Sequence, residues 1–145
     1  MSDTEDFQPA GLAVRLAAMA YDWLLLGALY LCVTLVLILL RGGAALAPGT
    51  WWYDVLLLLV TFAFYGWFWT HGGQTLGLRA WRLRLQRRDG RTVSWRDAMR
   101  RFAAALTLLL PPGLGLLWIV LDDRRAAWHD LLSNTAVIRL PSPAP

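Results

Sequence analysis

The stretch between Gly11 and Arg41 constrains the fold more than any other part of the chain. From Leu16 to Leu40 its twenty-five residues are apolar, small or weakly polar, and Asp22 is the one charged residue among them. At about 1.5 Å rise per residue this length exceeds a hydrocarbon core of about 30 Å, so it reads as a transmembrane helix. Arg15 stands at its start and Asp22 seven residues further on. Seven residues is close to two helical turns, so both side chains share one face, roughly 10 Å apart along the axis. A carboxylate facing lipid at that depth is costly, so Asp22 should face protein or a water-filled cavity. Two readings of the pair stay open. One is a structural ion pair or network with Arg15 snorkelling to headgroups. The other is a site that takes up and releases a proton or cation during translocation.

Two further apolar stretches follow, and the three hold most of the apolar excess in a chain of 145 residues that is 57% hydrophobic and 17% charged. That balance fits a single membrane domain better than a soluble core. Trp51 to Trp69 is the second span, with Trp51, Trp52 and Tyr53 at one end and Trp67, Phe68 and Trp69 at the other. Indole rings favour the headgroup boundary, so these groups read as two aromatic belts. The Gly/Pro-bearing loop from Arg41 to Thr50 suits a turn between antiparallel spans. Phe102 to Leu121 is the third stretch, broken by Pro111-Pro112-Gly113. Prolines there remove backbone donors, leaving either one kinked span or a helical hairpin that returns to its starting side. The lone Cys32 permits no intrachain disulfide and is expected to be a buried packing thiol.

All 14 basic residues are arginine, which points to compositional bias, so their placement is more informative than their number. Nine of them fall between Arg79 and Arg101, which puts that segment in the cytoplasm by the positive-inside rule. The first two spans then form a hairpin with the N-terminus inside. Residues 1–10, acidic and without the basic region of a secretory signal, are expected to be a mobile tail before a retained anchor. Residues 141–145 form a loose Pro-rich tail.

Within the basic segment, residues 79–95, the period changes. Trp81, Leu83 and Leu85 alternate with Arg82, Arg84 and Gln86, as in a half-exposed strand. Asp89-Gly90 is a hairpin turn signal, and Arg91 to Ser94 can supply a return strand. Ser94 and Asp97 form a capping box that starts a helix running towards Leu110. Ala136 to Leu140 is a further strand, which would pair with the Trp81–Gln86 ribbon if both lie inside. Arg124, Arg125 and Arg139 favour that side. The expected fold is an all-α transmembrane bundle, with two full spans, a Pro-broken third segment, and a small cytoplasmic β-ribbon or three-stranded sheet.

The layout resembles the RDD family of small membrane proteins over roughly Gly11 to Leu140. R-x-x-A-x-x-x-D at Arg15, Ala18 and Asp22 resembles the family's first-helix signature. G-Q-T-L-G, with Gly73, Thr75 and Gly77, looks like its central segment, and His129, Asp130 and Thr135 are similar to its H-D-x-x-x-x-T motif. The second aspartate of the family name is taken as Asp130, with Asp122 the other candidate. The resemblance implies a multi-pass protein of the bacterial inner membrane, for which transport is the usual suggestion.

Arg15, Asp22, His129, Asp130 and Asp122 are the candidates for a ligand site or ion pathway, as one polar network beneath the first helix. Neighbours such as His129 and Asp130 point about 100° apart on a helix and do not form a dyad. Gly73, Thr75 and Gly77 either bring backbone close to a ligand or helix, or form a flexible exit from the second span. Arg79, Arg82, Arg84, Arg87 and Arg88 are expected to contact anionic lipid headgroups, which explain the charge more simply than nucleic acid does. With His71 the only other imidazole, no metal site is expected, nor is any cofactor. No P-loop, GxGxxG or nucleophile with a base partner is present, so an enzyme is not expected. Two classes remain. One is a small transporter, homo-oligomeric because so few helices cannot enclose a path alone. The other is a membrane scaffold that holds lipid or a partner protein.

Overall fold

The computed structural model describes residues 10–107 and 128–141. Along the chain these form helix α1 (Leu12–Leu40), helix α2 (Trp51–Thr70), a short helix α3 (Leu76–Ala80), strand β1 (Leu83–Arg87), helix α4 (Trp95–Thr107), a short helix α5 (Trp128–Leu132) and strand β2 (Thr135–Arg139). The short elements and the sheet lie at one end of the two long helices, by Arg15 and Trp69, while Arg41 and Asp54 stand at the other.

Both long helices are apolar almost all round. Only 6% of the most apolar window of α1 and 11% of that of α2 is buried within the protein. The core helix of a soluble domain would be mostly covered, whereas a lipid-facing surface would not. What α1 does bury is a single stripe, Arg15, Ala18, Asp22 and Leu26, at the three- and four-residue spacing of one helical face. Further along the same face, Tyr30 shares a hydrogen bond with Thr61, and Thr34 with Tyr53 at 2.6 Å, tying α1 to α2. The aromatic residues at the two ends of α2 divide. Trp51 and Trp67 are exposed, as a belt requires, but Trp69 is buried in the core. Cys32 is exposed on the outer face of α1 and is not a packing thiol.

β1 and β2 pair antiparallel, Leu83 opposite Arg139 and Arg87 opposite Thr135. The expected ribbon-to-tail pairing therefore forms, but the return strand at 91–94 does not, and the sheet has two strands among the described residues. The turn itself is made, with Gly90 N–H donating to the Arg87 carbonyl at 3.0 Å. The edge of β1 that a return strand would need is already taken. Leu85 N–H donates to the Gly73 carbonyl at 2.6 Å, and the Gln74 side-chain amide to the Leu83 carbonyl at 2.8 Å. On the far side of β2, Ala10 N–H donates to the Val137 carbonyl at 3.2 Å. The segment leaving α2 is thus bound to the sheet and is not a loose exit. Trp81 drops out of the alternating strand because α3 precedes it: it caps that helix and is exposed. Leu83 and Leu85 keep the inward positions and pack with Ala10, Ala18, Trp69, Val93, Ala98 and Val137. The apolar face of the strand rests on the helices of the protein.

The capping box is present. Ser94 Oγ donates to Asp97 at 2.6 Å, while Asp97 N–H donates back to Ser94 Oγ at 3.3 Å. Burial works against the Asp97 charge, yet the Ser94 bonds and the Arg87 and Arg100 guanidinium groups outweigh it and hold this carboxyl below its ordinary range. α4 then packs on α2, where Phe62 meets Trp95 and Phe102, and where Gly66 lies under the Trp95 ring. Of the third apolar stretch only Phe102–Thr107 falls within the described residues, as the end of α4. The proline break, the choice between kinked span and hairpin, and Asp122 lie outside them.

Gly73 is the backbone hinge of this arrangement. Its φ is +73°, and a Cβ there would collide with the Leu85 carbonyl. Left-handed backbone costs a side-chain-bearing residue about 1–2 kcal/mol, and overpacking about 1–3 kcal/mol more. Gly73→Ala should therefore lower the melting temperature of the detergent-purified protein markedly. Gly27→Ala, where nothing lies within 4 Å, should leave it unchanged or raised.

A buried two-level polar site

The stripe on α1 carries two charges, and they take different partners. Arg15 Nη1 donates to Asp130 Oδ2 at 2.5 Å, its Nε to the Ala10 carbonyl at 3.1 Å and its Nη2 to the Val137 carbonyl at 3.4 Å. Asp130, on α5, is 0% exposed and Arg15 5%. The other oxygen of Asp130 accepts from Arg101 Nη1, also at 2.5 Å, and that nitrogen donates to Thr135 Oγ1 at 2.8 Å. One carboxylate thus lies between two guanidinium groups. Arg101 Cζ sits 5.2 Å from the centre of the Trp69 ring, which offers its π face to the excess positive charge. Burial pulls the pKa of Arg101 below the ordinary arginine value while Asp130 opposes the shift, and arginine keeps its proton throughout.

Two turns along α1, Asp22 meets the chain that leaves α2. Thr75 Oγ1 donates to Asp22 Oδ2 at 2.6 Å, and Gly77 N–H to Asp22 Oδ1 at 2.8 Å. Thr75 also accepts from Leu78 N–H at 3.1 Å, so one hydroxyl caps α3 and binds the acid. A Cβ at Gly77 would strike the Ala18 carbonyl and lie 2.8 Å from Asp22 Oδ1. Only glycine lets this backbone reach the carboxylate, and the need for close approach seen in Gly73, Thr75 and Gly77 is met by a helix of the same chain. The tail around Asp130 does not face Asp22. It reaches Arg15 instead, because the sheet carries it under the start of α1.

A cavity of about 390 Å³ joins the two levels. Arg15, Asp22, Thr75 and Arg101 supply its charged and hydroxyl groups, and Tyr30, Thr61, Tyr65 and Trp69 line the wall formed by α1 and α2. His129 belongs to α5, but its side chain lies outside the described residues. Of the arginines expected at headgroups, Arg79, Arg82 and Arg88 are exposed, while Arg84 and Arg87 are half-buried. Arg87 is engaged with Asp97 at 3.2 Å and Asp89 at 3.3 Å.

The residue that sequence reasoning missed is Arg101. Nine arginines in one segment made any single one look like surface charge. A signal was present, since Asp97, Ala98, Arg101 and Ala104 fall on one face of α4 and all four are buried.

Two long apolar helices with little of their surface covered, and with Arg15 and Asp22 of the first partnered inside, have the character of a small membrane protein. A model of the RDD family, a family of small membrane proteins, matches residues 9–134, and the chain belongs to that family. No curated protein and no solved structure matches it.

Asp130 binds two buried guanidinium groups at once, and Asp130→Asn would take away the negative charge they share. Removing one partner of a buried pair costs about 3–5 kcal/mol. The variant should yield little folded protein or a sharply lowered melting temperature. Asp89→Asn, at the exposed end of a surface pair, should behave like the parent to within about 1 kcal/mol.

Proposed function

We propose that this protein moves a small ion or solute across the bacterial inner membrane by way of the cavity beside Asp22. The observation that carries this reading is the cavity itself. It adjoins the spans, holds both charges of the α1 stripe, and continues along α1 and α2 through the hydroxyls of Tyr30 and Thr61. Ionisable groups kept inside a membrane protein are costly and face a cavity or pathway where they serve function. Homo-oligomers would complete the enclosure that two long helices leave open. The exposed arginines of 79–88 would meet anionic headgroups on the cytoplasmic side.

A second reading, a scaffold without transport, has its own support. Both oxygens of Asp22 and both of Asp130 already accept hydrogen bonds within the chain, as a structural network would have it. Proteoliposomes separate the two. Monovalent cations, inorganic anions and small organic acids would be followed in turn, for the parent and for Asp22→Asn, whose amide oxygen can still accept from Gly77 N–H while its NH2 donates to the Thr75 hydroxyl. Transport predicts flux above protein-free vesicles for at least one of them, reduced at least fivefold in the folded variant. Flux of none leaves the scaffold, and flux untouched by the variant removes Asp22 from the pathway.

The same reading places the N-terminus, the basic segment and the C-terminal strand in the cytoplasm. β1 and β2 share one sheet, so Arg88 and Arg139, both exposed, must report the same side. In a Cys32→Ser background, Arg88→Cys and Arg139→Cys should both react with an impermeant maleimide in inverted vesicles and stay silent in right-side-out ones. Reaction from the outside would overturn the orientation.

A further inference from the structure

We propose that the cavity binds an oxyanion-headed alkyl chain, with the carboxylate-like head on Arg101 and the tail directed towards Trp23 and Leu106. This rests on the reading of the cavity as the solute site and names the class of solute.

The head is specified by Arg101. The residue lines the cavity and is only 6% exposed. Its Nη1 serves Asp130 and Thr135. Among the described residues Nε and Nη2 have no hydrogen-bond partner. A guanidinium offers five donors, and the Nε–Nη2 edge is the fork that matches a planar carboxylate with two parallel bonds. That edge is not among the sealed, unpartnered side-chain atoms of the described residues, so it is open to an acceptor in the cavity that Arg101 lines. An ammonium head would have to share the Asp22 oxygens, each of which already accepts from Thr75 or Gly77, whereas the Arg101 fork has no competing acceptor among the described residues.

The tail is specified by the rest of the lining. Met19, Phe102 and Ala105 supply apolar wall beyond the charged floor. The exposed members of the lining are Trp23, Leu58 and Leu106, all apolar and all on the long helices or α4. Trp23 is 65% exposed, so the mouth opens sideways, where the spans would face lipid. A volume of about 390 Å³ lies at the lower end of the ~300–1,000 Å³ typical of small-molecule sites. A molecule that partitions into the bilayer could enter laterally, tail outermost, and meet Arg101 with its head.

The test is equilibrium dialysis of radiolabelled hexanoate against the full-length protein in a maltoside detergent. Hexylamine and hexanol serve as competitors of equal tail length. The expected result is saturable binding of hexanoate that neither competitor displaces at equal concentration. Ala105→Phe, which fills the apolar wall without touching Asp130, should raise Kd at least tenfold with the melting temperature kept. Displacement by dioctanoyl phosphatidylglycerol would assign the oxyanion to a phospholipid, and its absence would assign it to a free acid. Binding that does not saturate, equal competition by hexylamine, or an Ala105→Phe variant that binds like the parent would overturn the proposal. Hexanoate binding without flux of any solute would sink the transport reading and leave the site standing. Flux without hexanoate binding would do the reverse.

Discussion

Everything at the charged end of this protein depends on one carboxylate. Asp130 is fully buried and holds Arg15 of α1 and Arg101 of α4 at once. Removing three charges from water costs several kcal/mol per ion unless geometry and hydrogen bonding repay it. Here the repayment comes from two backbone carbonyls, the Thr135 hydroxyl and the Trp69 ring. These groups come from distant parts of the chain, with Ala10 before α1, Trp69 at the end of α2, and Thr135 and Val137 on β2. The start of α1, the end of α2, α4, α5 and β2 must converge for any of the three charges to be tolerated, so the cluster works as a lock on the arrangement of elements.

Asp22 plays a different part on the same stripe. Its carboxylate receives one hydroxyl and one backbone N–H from the segment after α2, and thereby fixes the path by which the chain leaves the membrane-like helices and turns into the sheet. That segment then occupies the outer edge of β1, while Ala10 occupies that of β2. A two-stranded ribbon is marginal alone. Bound along both edges and packed on Ala18, Trp69 and Ala98, it becomes the floor on which the cavity rests.

Much of this was legible from the residues. Length and hydropathy placed α1 and α2, alternation put Leu83 and Leu85 on one face of a strand, and Ser94 with Asp97 marked the start of α4. That Asp22 faces protein or a cavity, with Arg15 on the same helix face, followed from helix geometry and the cost of the alternative. Their partners did not follow, because a helix face says where a side chain points and nothing about what arrives from a hundred residues away. Gly73-Gln74 displacing the expected return strand was hidden for a related reason. Turn chemistry favoured the local hairpin, and a tertiary contact took the edge first. Arg101 was obscured by its own neighbours, since a segment rich in one residue type masks the member that is turned inward.

The span between Arg15 and Asp130 also sets a timetable. The two residues are 115 positions apart. At about 5–20 residues per second, synthesis needs roughly 6–23 seconds to supply the acid after the arginine has been made. α1 can enter the bilayer long before then, so a nascent chain passes through an interval in which Arg15 must be held at the interface by water and headgroups. The last element to emerge, β2 with α5 before it, is the one that closes the polar site. A chain stopped short of it keeps α1 but lacks the Asp130 carboxylate that binds Arg15 in the finished protein.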